Sequence, residues 1–323
     1  MTIDRRTFVG GLLSAGTLLA LRPGRALGAL AGGALLDWDE LAAGAYAMVD
    51  LSTGGNSLIL IDDERALVID TKSPLLGAAI RGDTEALGAR AEVILLNTHH
   101  HGDHTGGNAA FTDVESYAHR NALPRVRAQL ARYTQAAKNA KGDTPPLESL
   151  AKLVREAADS WTENTFVPDH AIGDEGATLK VGARSVEIHH FGAGHTDNDL
   201  VARIPSLNLV HTGDLVFSGL HPFYDPDGGY NARGWVESLQ QTLALCDAET
   251  VVVPGHGVVG DRSIIRGAIR YHEQLIDAVQ KEIDKGTSKE VAQEMSWAFM
   301  DGLGFEAIRA RAIGAVFDEL TGD

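Results

Sequence analysis

Residues 98–104 read Thr98-His99-His100-His101-Gly102-Asp103-His104 and are the most informative stretch of this chain. They follow Val93-Ile94-Leu95-Leu96, a short continuous apolar run that is typical of a strand buried on both faces. Four of the 13 histidines of the 323-residue chain therefore lie within six residues, just beyond a buried strand. Alternate side chains of an extended segment point the same way, so His99 and His101 are expected to face one side.

Three further apolar runs end in the same manner, with a glycine and then a histidine or an aspartate. Strands of one sheet present their ends along one edge, so the residues that follow them are expected to converge in one cleft. The pairs of run and following residue are Val186–Ile188 with His195, Leu209–Val210 with Asp214, and Val251–Val253 with His256.

Five imidazoles and two carboxylates are too many ligands for one tetrahedral zinc ion, but they suit two adjacent metals that share a carboxylate. The candidate ligands are His99, His101, Asp103, His104, His195, Asp214 and His256. The absence of thiolate among them fits Zn, with Fe or Mn as alternatives. The single cysteine, Cys246, follows the apolar residues Leu243–Leu245 and is interpreted as a small core residue of a helix.

Composition excludes several classes of protein. The chain has 28 Lys and Arg against 44 Asp and Glu, which gives a net charge of −16 and disfavours nucleic acid as a partner. With 44% apolar and 22% charged residues, the chain can bury an ordinary core and act on a small molecule. The oligomeric state does not follow from the sequence.

Residues 1–31 are predicted to be an export signal that is removed from the mature protein. The pair Arg5-Arg6 precedes the uncharged apolar run Phe8–Leu21, and Ala29-Leu30-Ala31 offers small residues for cleavage. The run is too short to span a bilayer, so no stable membrane span is expected after removal. The segment resembles a twin-arginine signal and predicts a periplasmic or secreted protein; an amphipathic helix of the mature fold is the alternative.

The four elements together resemble the metallo-β-lactamase superfamily of hydrolases over roughly residues 44–260. The His-x-His-x-Asp-His spacing is the most specific of them. The resemblance implies an α/β fold, a four-layer αβ/βα sandwich with the metals at one edge. It also implies one domain over residues 32–323, with a helical insertion at about 119–165 and C-terminal helices at about 261–323.

The resemblance also implies roles for individual residues. His99, His101 and His195 would hold one metal, Asp103, His104 and His256 the second, and Asp214 would bridge the two. Asp70 matches an aspartate that supports the ligands by hydrogen bonding; equally, it suits a cap of the helix predicted at Pro74–Leu87, for which Ser73 is a second candidate.

The expected activity is hydrolysis by a hydroxide held between two divalent ions, with zinc the expected metal. The hydroxide would attack the carbonyl of a β-lactam, a lactone or another ester, oriented by Asp103 as the catalytic residue. Many true β-lactamases of the family have a Cys, or no bridging acid, where this chain has Asp214. A thioesterase similar to glyoxalase II is therefore the main alternative; an iron-dependent redox protein on the same fold and a non-enzymatic metal-binding protein are the others.

Two features beyond the ligands leave alternatives open. The loop that contains His221 and Tyr224 either roofs the cleft and touches substrate or packs as an ordinary loop. The basic side chains of residues 119–160 either form a solvated helix face or attract an anionic substrate. His119, His170 and His272 are expected at the surface or in caps.

Overall fold

Two facing β-sheets lie at the centre of the computed structural model, which describes residues 33–49, 54–63 and 65–322. The predicted export signal lies outside these residues. The first sheet has seven strands in chain order: β1 (Asp39–Ala42), β2 (Ala45–Met48), β3 (Ser57–Asp62), β4 (Arg65–Ile69), β5 (Val93–Leu96), β6 (Glu115–His119) and β7 (His170–Ile172).

The second sheet has five strands in the spatial order β13-β11-β10-β9-β8, and a two-stranded sheet pairs β12 with β14. The strands are β8 (Ala177–Val181), β9 (Arg184–His189), β10 (Val201–Ile204), β11 (Leu209–His211), β12 (Phe217–Ser218), β13 (Val251–Val253) and β14 (His256–Gly257).

The helices are α1 (Pro74–Leu87), α2 (Gly102–Thr105), α3 (Ala122–Ala128), α4 (Leu130–Lys138), α5 (Pro145–Ala157), α6 (Ala232–Ala244), α7 (Arg262–Asp284), α8 (Lys289–Gln293) and α9 (Glu306–Thr321). In the described part of the chain none of them is both long and apolar enough to cross a membrane. Helices α3, α4 and α5 all lie between β6 and β7, the segment in which the insertion is predicted.

Alternating side chains explain the layers. Leu58, Leu60 and Ile69 of the first sheet join Ile188 and Ile204 of the second in one buried cluster, so this cluster fills the space between the sheets. The intervening residues of each strand point outward, as the two-residue period of a strand requires.

The outward faces of both sheets are covered by helices. Ile59 and Val68 of the first sheet pack with Ile80 of α1. Val210 of the second sheet packs with Trp235 of α6, in a cluster that also contains residues of α7 and α9. The order helix, sheet, sheet, helix confirms the predicted four-layer α/β sandwich.

Local sequence sets the ends of α1 as predicted. The Ser73 hydroxyl accepts a hydrogen bond from the backbone N–H of Leu76, and Pro74 occupies the first turn, where no N–H partner is needed. Gly88 ends the helix at φ +132°, a conformation that other residues rarely adopt. The helix therefore returns the chain to β5, parallel to β4, and brings the carboxyl ends of both strands to one edge.

Candidate metal centre

The candidate metal ligands all follow the carboxyl ends of strands, at one edge of the two sheets. Residues 99–104 follow β5 of the first sheet. His195, Asp214 and His256 follow β9, β11 and β13 of the second sheet. Both sheets therefore contribute ligands, and the site lies across the seam between them.

The first group contains His99, His101, His195 and Asp214, whose ligand atoms all lie within 4.8 Å of one another. His101 Nδ1 is 3.0 Å from His99 Nε2 and 2.9 Å from His195 Nε2. The Asp214 carboxylate oxygen Oδ2 is 3.4 Å from His195 Nε2 and 3.7 Å from His99 Nε2. Three imidazoles and one carboxylate therefore converge on one point.

The second group contains Asp103, His104 and His256. His256 Nε2 lies 3.3 Å from Asp103 Oδ2 and also 3.3 Å from Asp214 Oδ2. His104 Nε2 lies 3.1 Å from Asp214 Oδ1. The buried Asp214 carboxylate thus faces both groups at once, which is the placement of a bridging ligand.

These side chains fit divalent metal ions. A tetrahedral ion with bonds of about 2.0–2.1 Å places its ligand atoms roughly 3.3 Å apart, and the separations above are of this size. His104 Nε2 and Asp214 Oδ1 are buried and form no hydrogen bond with any described residue, although they lie only 3.1 Å apart. Buried polar atoms rarely lack partners, so atoms aimed at a common point in this way suit a cation between them.

Asp70 supports the ligand residues through hydrogen bonds to its carboxylate. Its buried carboxylate accepts hydrogen bonds from the Thr98 N–H at 2.8 Å, from the Thr98 hydroxyl at 2.7 Å and from His104 Nδ1 at 2.7 Å. The residue adopts φ +61°, an uncommon conformation for an aspartate. The helix cap proposed as its alternative role is taken by Ser73.

Two other ligands are oriented in the same way. His101 Nε2 lies 2.8 Å from Asp225 Oδ2, and His195 Nδ1 lies 2.7 Å from the backbone carbonyl of Phe223. Fixing one ring nitrogen by a hydrogen bond leaves the other with its lone pair for a metal. The loop that contains Phe223 and Asp225 therefore sets the tautomer of both rings.

Burial and neighbouring charges shift the pKa of several of these groups. Burial lowers the pKa of His195 to about 3, so its ring is neutral at pH 7. Burial also opposes charge on His256, but the Asp214 and Asp103 carboxylates outweigh it and raise its pKa to about 9. Burial favours the acid form of Asp103, yet His104 and His256 hold its pKa well below the usual range. A cation that binds His256 would therefore displace a proton.

A cleft of about 730 Å³ opens above the two groups. Its floor includes Asp103, Asp214 and His256, and one wall is formed by α3 and α4 through Arg125, Gln129 and Arg132. The facing walls are formed by Phe223, Asp225, Asp227, Phe305 and Ile308. This volume suits a small-molecule substrate.

Comparison with known proteins agrees with this geometry. A sequence profile described as the metallo-beta-lactamase superfamily matches residues 52–256, well over half of the chain. The chain belongs to the metallo-beta-lactamase superfamily. The matched range includes every candidate metal ligand.

Individual members of the superfamily are distant from this chain. A metallo-beta-lactamase type 2 of Bacillus cereus is 28% identical over 171 residues, which are 53% of this chain and only 54% of that protein. A probable hydroxyacylglutathione hydrolase of Schizosaccharomyces pombe is 27% identical over 210 residues, 63% of this chain and 64% of that protein. The solved structure of a metallo-beta-lactamase from Pontibacter korlensis aligns with a TM-score of 0.55 at 19% identity and covers 74% of this chain and 99% of that one. The structural likeness supports the superfamily fold.

Substrate contact by His221 and Tyr224 is not what the structure shows. Both side chains are fully buried and neither lines the cleft of this superfamily member. His221 Nδ1 lies 2.9 Å from the Tyr271 hydroxyl, and the Tyr224 hydroxyl lies 2.6 Å from His272 Nδ1. The loop-packing alternative therefore applies to both residues, because α7 covers this side of the loop.

Sequence reasoning did not single out Phe223 and Asp225, which flank Tyr224 and do face the cleft. No motif surrounds them, and Asp225 reaches His101 only because the loop folds back across 124 residues of sequence.

Proposed function

We propose that this protein is an exported dinuclear metal hydrolase, with zinc as the metal, that acts on the carbonyl of a small substrate such as a β-lactam, a lactone or an ester. The observation that carries the proposal is the position of Asp214. Its two oxygens lie within 3.1–3.4 Å of His104, His195 and His256, so one carboxylate faces both histidine groups at the floor of an open cleft.

The ligand roles follow from this arrangement. We assign His99, His101 and His195 to one ion, Asp103, His104 and His256 to the other, and Asp214 to both. Two divalent cations bound there would lower the pKa of water from 15.7 to roughly 7 and polarise a substrate carbonyl.

Asp103 is assigned the catalytic role because its carboxylate reaches the cleft. It is 40% exposed, whereas His104 and Asp214 are buried. Its low pKa keeps it ionised at neutral pH, so it accepts a hydrogen bond from the attacking water and orients that water towards the substrate. The buried aspartates are committed elsewhere, since Asp214 faces both histidine groups and Asp70 accepts hydrogen bonds from Thr98 and His104.

The choice of substrate rests on the relatives and on Asp214. The Bacillus cereus relative named as a metallo-beta-lactamase supports a β-lactam, as does export to the compartment where such drugs act. A thioesterase is the second candidate, because the Schizosaccharomyces pombe relative is named for the hydrolysis of hydroxyacylglutathione, a thioester. The aspartate at the bridging position favours lactones, esters or thioesters over a dedicated β-lactamase.

Metal analysis combined with a substrate panel tests the proposal. Purified protein is assayed for bound metal and for turnover of nitrocefin, a lactone, a thioester and a phosphodiester, with and without a chelator. We expect two metals per chain and chelator-sensitive turnover of one of the first three. Asp214→Ala should lose metal and activity together, and Asp103→Ala should lose activity.

Asp174→Ala is the matched control for metal counting. Asp174 lies with His119 and His190 in a separate group that could also hold a cation. Two metals retained in Asp174→Ala assign both ions to the cleft. Full turnover by metal-free protein or by Asp103→Ala would refute the mechanism. Secreted protein that still begins at Met1 would refute removal of the signal, and protein found only in the cytoplasm would refute export.

A further inference from the structure

The α3–α4 wall of the cleft carries two arginines, which differ in whether an acidic side chain pairs with their charge. Arg125 is already neutralised: its Nη2 lies 2.6 Å from Asp197 Oδ2, and its Nη1 donates to the backbone carbonyl of Asp227. Arg132, two turns further along this wall, is exposed and forms neither an ion pair nor a hydrogen bond with any residue in the ranges 33–49, 54–63 and 65–322. One full positive charge is therefore available at the cleft.

The Arg132 guanidinium lies over the turn that connects two metal ligands. Its carbon Cζ is 3.5 Å from the position that a Cβ atom on Gly102 would occupy. Gly102 stands between His101 and Asp103, so the missing side chain lets the guanidinium approach the metal groups. A charge placed there reaches a substrate bound at the floor of the cleft.

The acidic residues of the cleft do not cancel this charge. Asp103 and Asp214 belong to the metal groups, where the two divalent cations of the proposed function would outweigh them. Asp225 lies 2.8 Å from His101 Nε2 and 3.4 Å from His100 Nε2. Asp227 lines the facing wall at the Arg125 end of the cleft, where Arg125 donates to its backbone carbonyl. An anionic group is therefore favoured at the α4 end and opposed at the Asp227 end.

Gln129 lies next to Arg132 and is fixed in place by the protein. Its Nε2 donates to the His100 carbonyl at 2.7 Å, which fixes the amide plane. Its oxygen Oε1 is buried, accepts no hydrogen bond from the described residues, and lies 3.1 Å from the same Cβ position on Gly102. The Gln129 amide is therefore held against the Gly102 turn, beside the Arg132 guanidinium.

We propose that Arg132 binds a carboxylate of the substrate at the α4 end of the cleft. The inference rests on the proposed hydrolase function and narrows its substrates to anionic ones. Arginine suits this role because its planar fork matches a carboxylate in two parallel hydrogen bonds. Neutral lactones and neutral esters would then be poor substrates.

Matched pairs of anionic and neutral substrates test the inference. The pairs are nitrocefin with its methyl ester, and the 4-nitrophenyl monoester of succinate with 4-nitrophenyl butyrate. For Arg132→Ala we expect kcat/KM to fall by about 10- to 100-fold for each anionic member, the loss of one charge-assisted contact, with little change for the neutral members. Arg132→Lys should recover part of the loss, and wild-type preference for the anionic member should weaken as salt is raised.

Arg127→Ala is the matched control, because Arg127 is an exposed arginine of α3 that does not line the cleft. Arg127→Ala should leave kcat/KM unchanged for both members of each substrate pair. Equal losses for anionic and neutral members in Arg132→Ala, or no loss at all, would overturn the inference.

A binding measurement separates this inference from the proposed function. Calorimetry with hydrolysed nitrocefin, a dicarboxylate, needs no turnover and should show binding at least 10-fold weaker in Arg132→Ala than in wild type. If no panel substrate is hydrolysed, the proposed function fails while this comparison still stands. Equal affinity of the two proteins, or no binding by wild type, overturns the role of Arg132 whether or not hydrolysis is found.

Discussion

Replacing Asp70 by asparagine should weaken metal binding at the second group, because it moves the ring proton of His104 to the nitrogen that binds the metal. The Asp70 carboxylate accepts from His104 Nδ1 at 2.7 Å, which leaves His104 Nε2 with a lone pair facing Asp214. In Asp70→Asn an N–H₂ group replaces one oxygen and donates to Nδ1. The ring proton then moves to Nε2, the atom that must bind the metal.

The size of the effect follows from what the substitution preserves. The variant keeps the volume of the side chain, and its remaining oxygen still accepts from the Thr98 N–H, a contact of 2.8 Å in the wild-type protein. The tautomer of His104 and the charge of residue 70 change, and the Thr98 hydroxyl, which donates to the same oxygen Oδ2 in wild type, must turn to accept from the new N–H₂ group. Loss of such a supporting contact typically weakens metal affinity 10- to 100-fold, which is about 1.4–2.7 kcal/mol.

Competition with a chromophoric chelator measures the two affinities separately. We expect one site of Asp70→Asn to remain close to wild type and the other to weaken. Asp83→Asn is the control, because Asp83 is also buried and accepts three hydrogen bonds, from Leu35, Leu36 and Trp38, far from the cleft. It should lower stability without changing metal affinity. If both metal sites of Asp70→Asn kept the wild-type affinity, the tautomer argument would be refuted.

Two further predictions concern packing and pH. Gly255→Ala should lose metal and lower the melting temperature, because a Cβ there would lie 2.0 Å from Asp214 Oδ1 and 2.6 Å from backbone atoms; metal content and thermal denaturation check this. Burial lowers the pKa of His272 to about 3, below its unfolded value near 6.5, so the unfolded state binds the extra proton and stability falls as pH drops below about 6.5. The free energy of unfolding, measured by urea denaturation, should depend less steeply on pH in His272→Gln than in wild type, by up to about 1.4 kcal/mol per pH unit between pH 6 and 4. An unchanged pH dependence would contradict this prediction.

Strands with continuous apolar sequence were predictable, and strands with mixed sequence were not. Val93–Leu96 and the helix Pro74–Leu87 have the predicted bounds. Strands β6 and β8, by contrast, read Glu-Ser-Tyr-Ala-His and Ala-Thr-Leu-Lys-Val, in which polar residues interrupt any apolar run. Their pairing with neighbours, not their own composition, makes them strands.

The convergence of the ligands was predictable because each follows a buried strand, whereas burial of the other histidines was not. His119 and His272 were expected at the surface or in caps, yet both are buried. His272 lies on the face of α7 that also carries Leu275 and Val279, so helical spacing indicated its burial. His119 is covered by the stacked ring of His190, 71 residues away and just after β9 of the second sheet, which no local pattern reveals.

The seam between the sheets has a consequence for assembly of the enzyme. Since His99 and His104 come from one half of the sandwich and His195 and His256 from the other, a bound cation would join the halves directly. Folding and cation uptake would then be thermodynamically linked, with each tenfold rise in free cation above the dissociation constant adding about 1.4 kcal/mol of stability. Scarcity of the metal in the surroundings would thus shorten the lifetime of the protein as well as lower its activity.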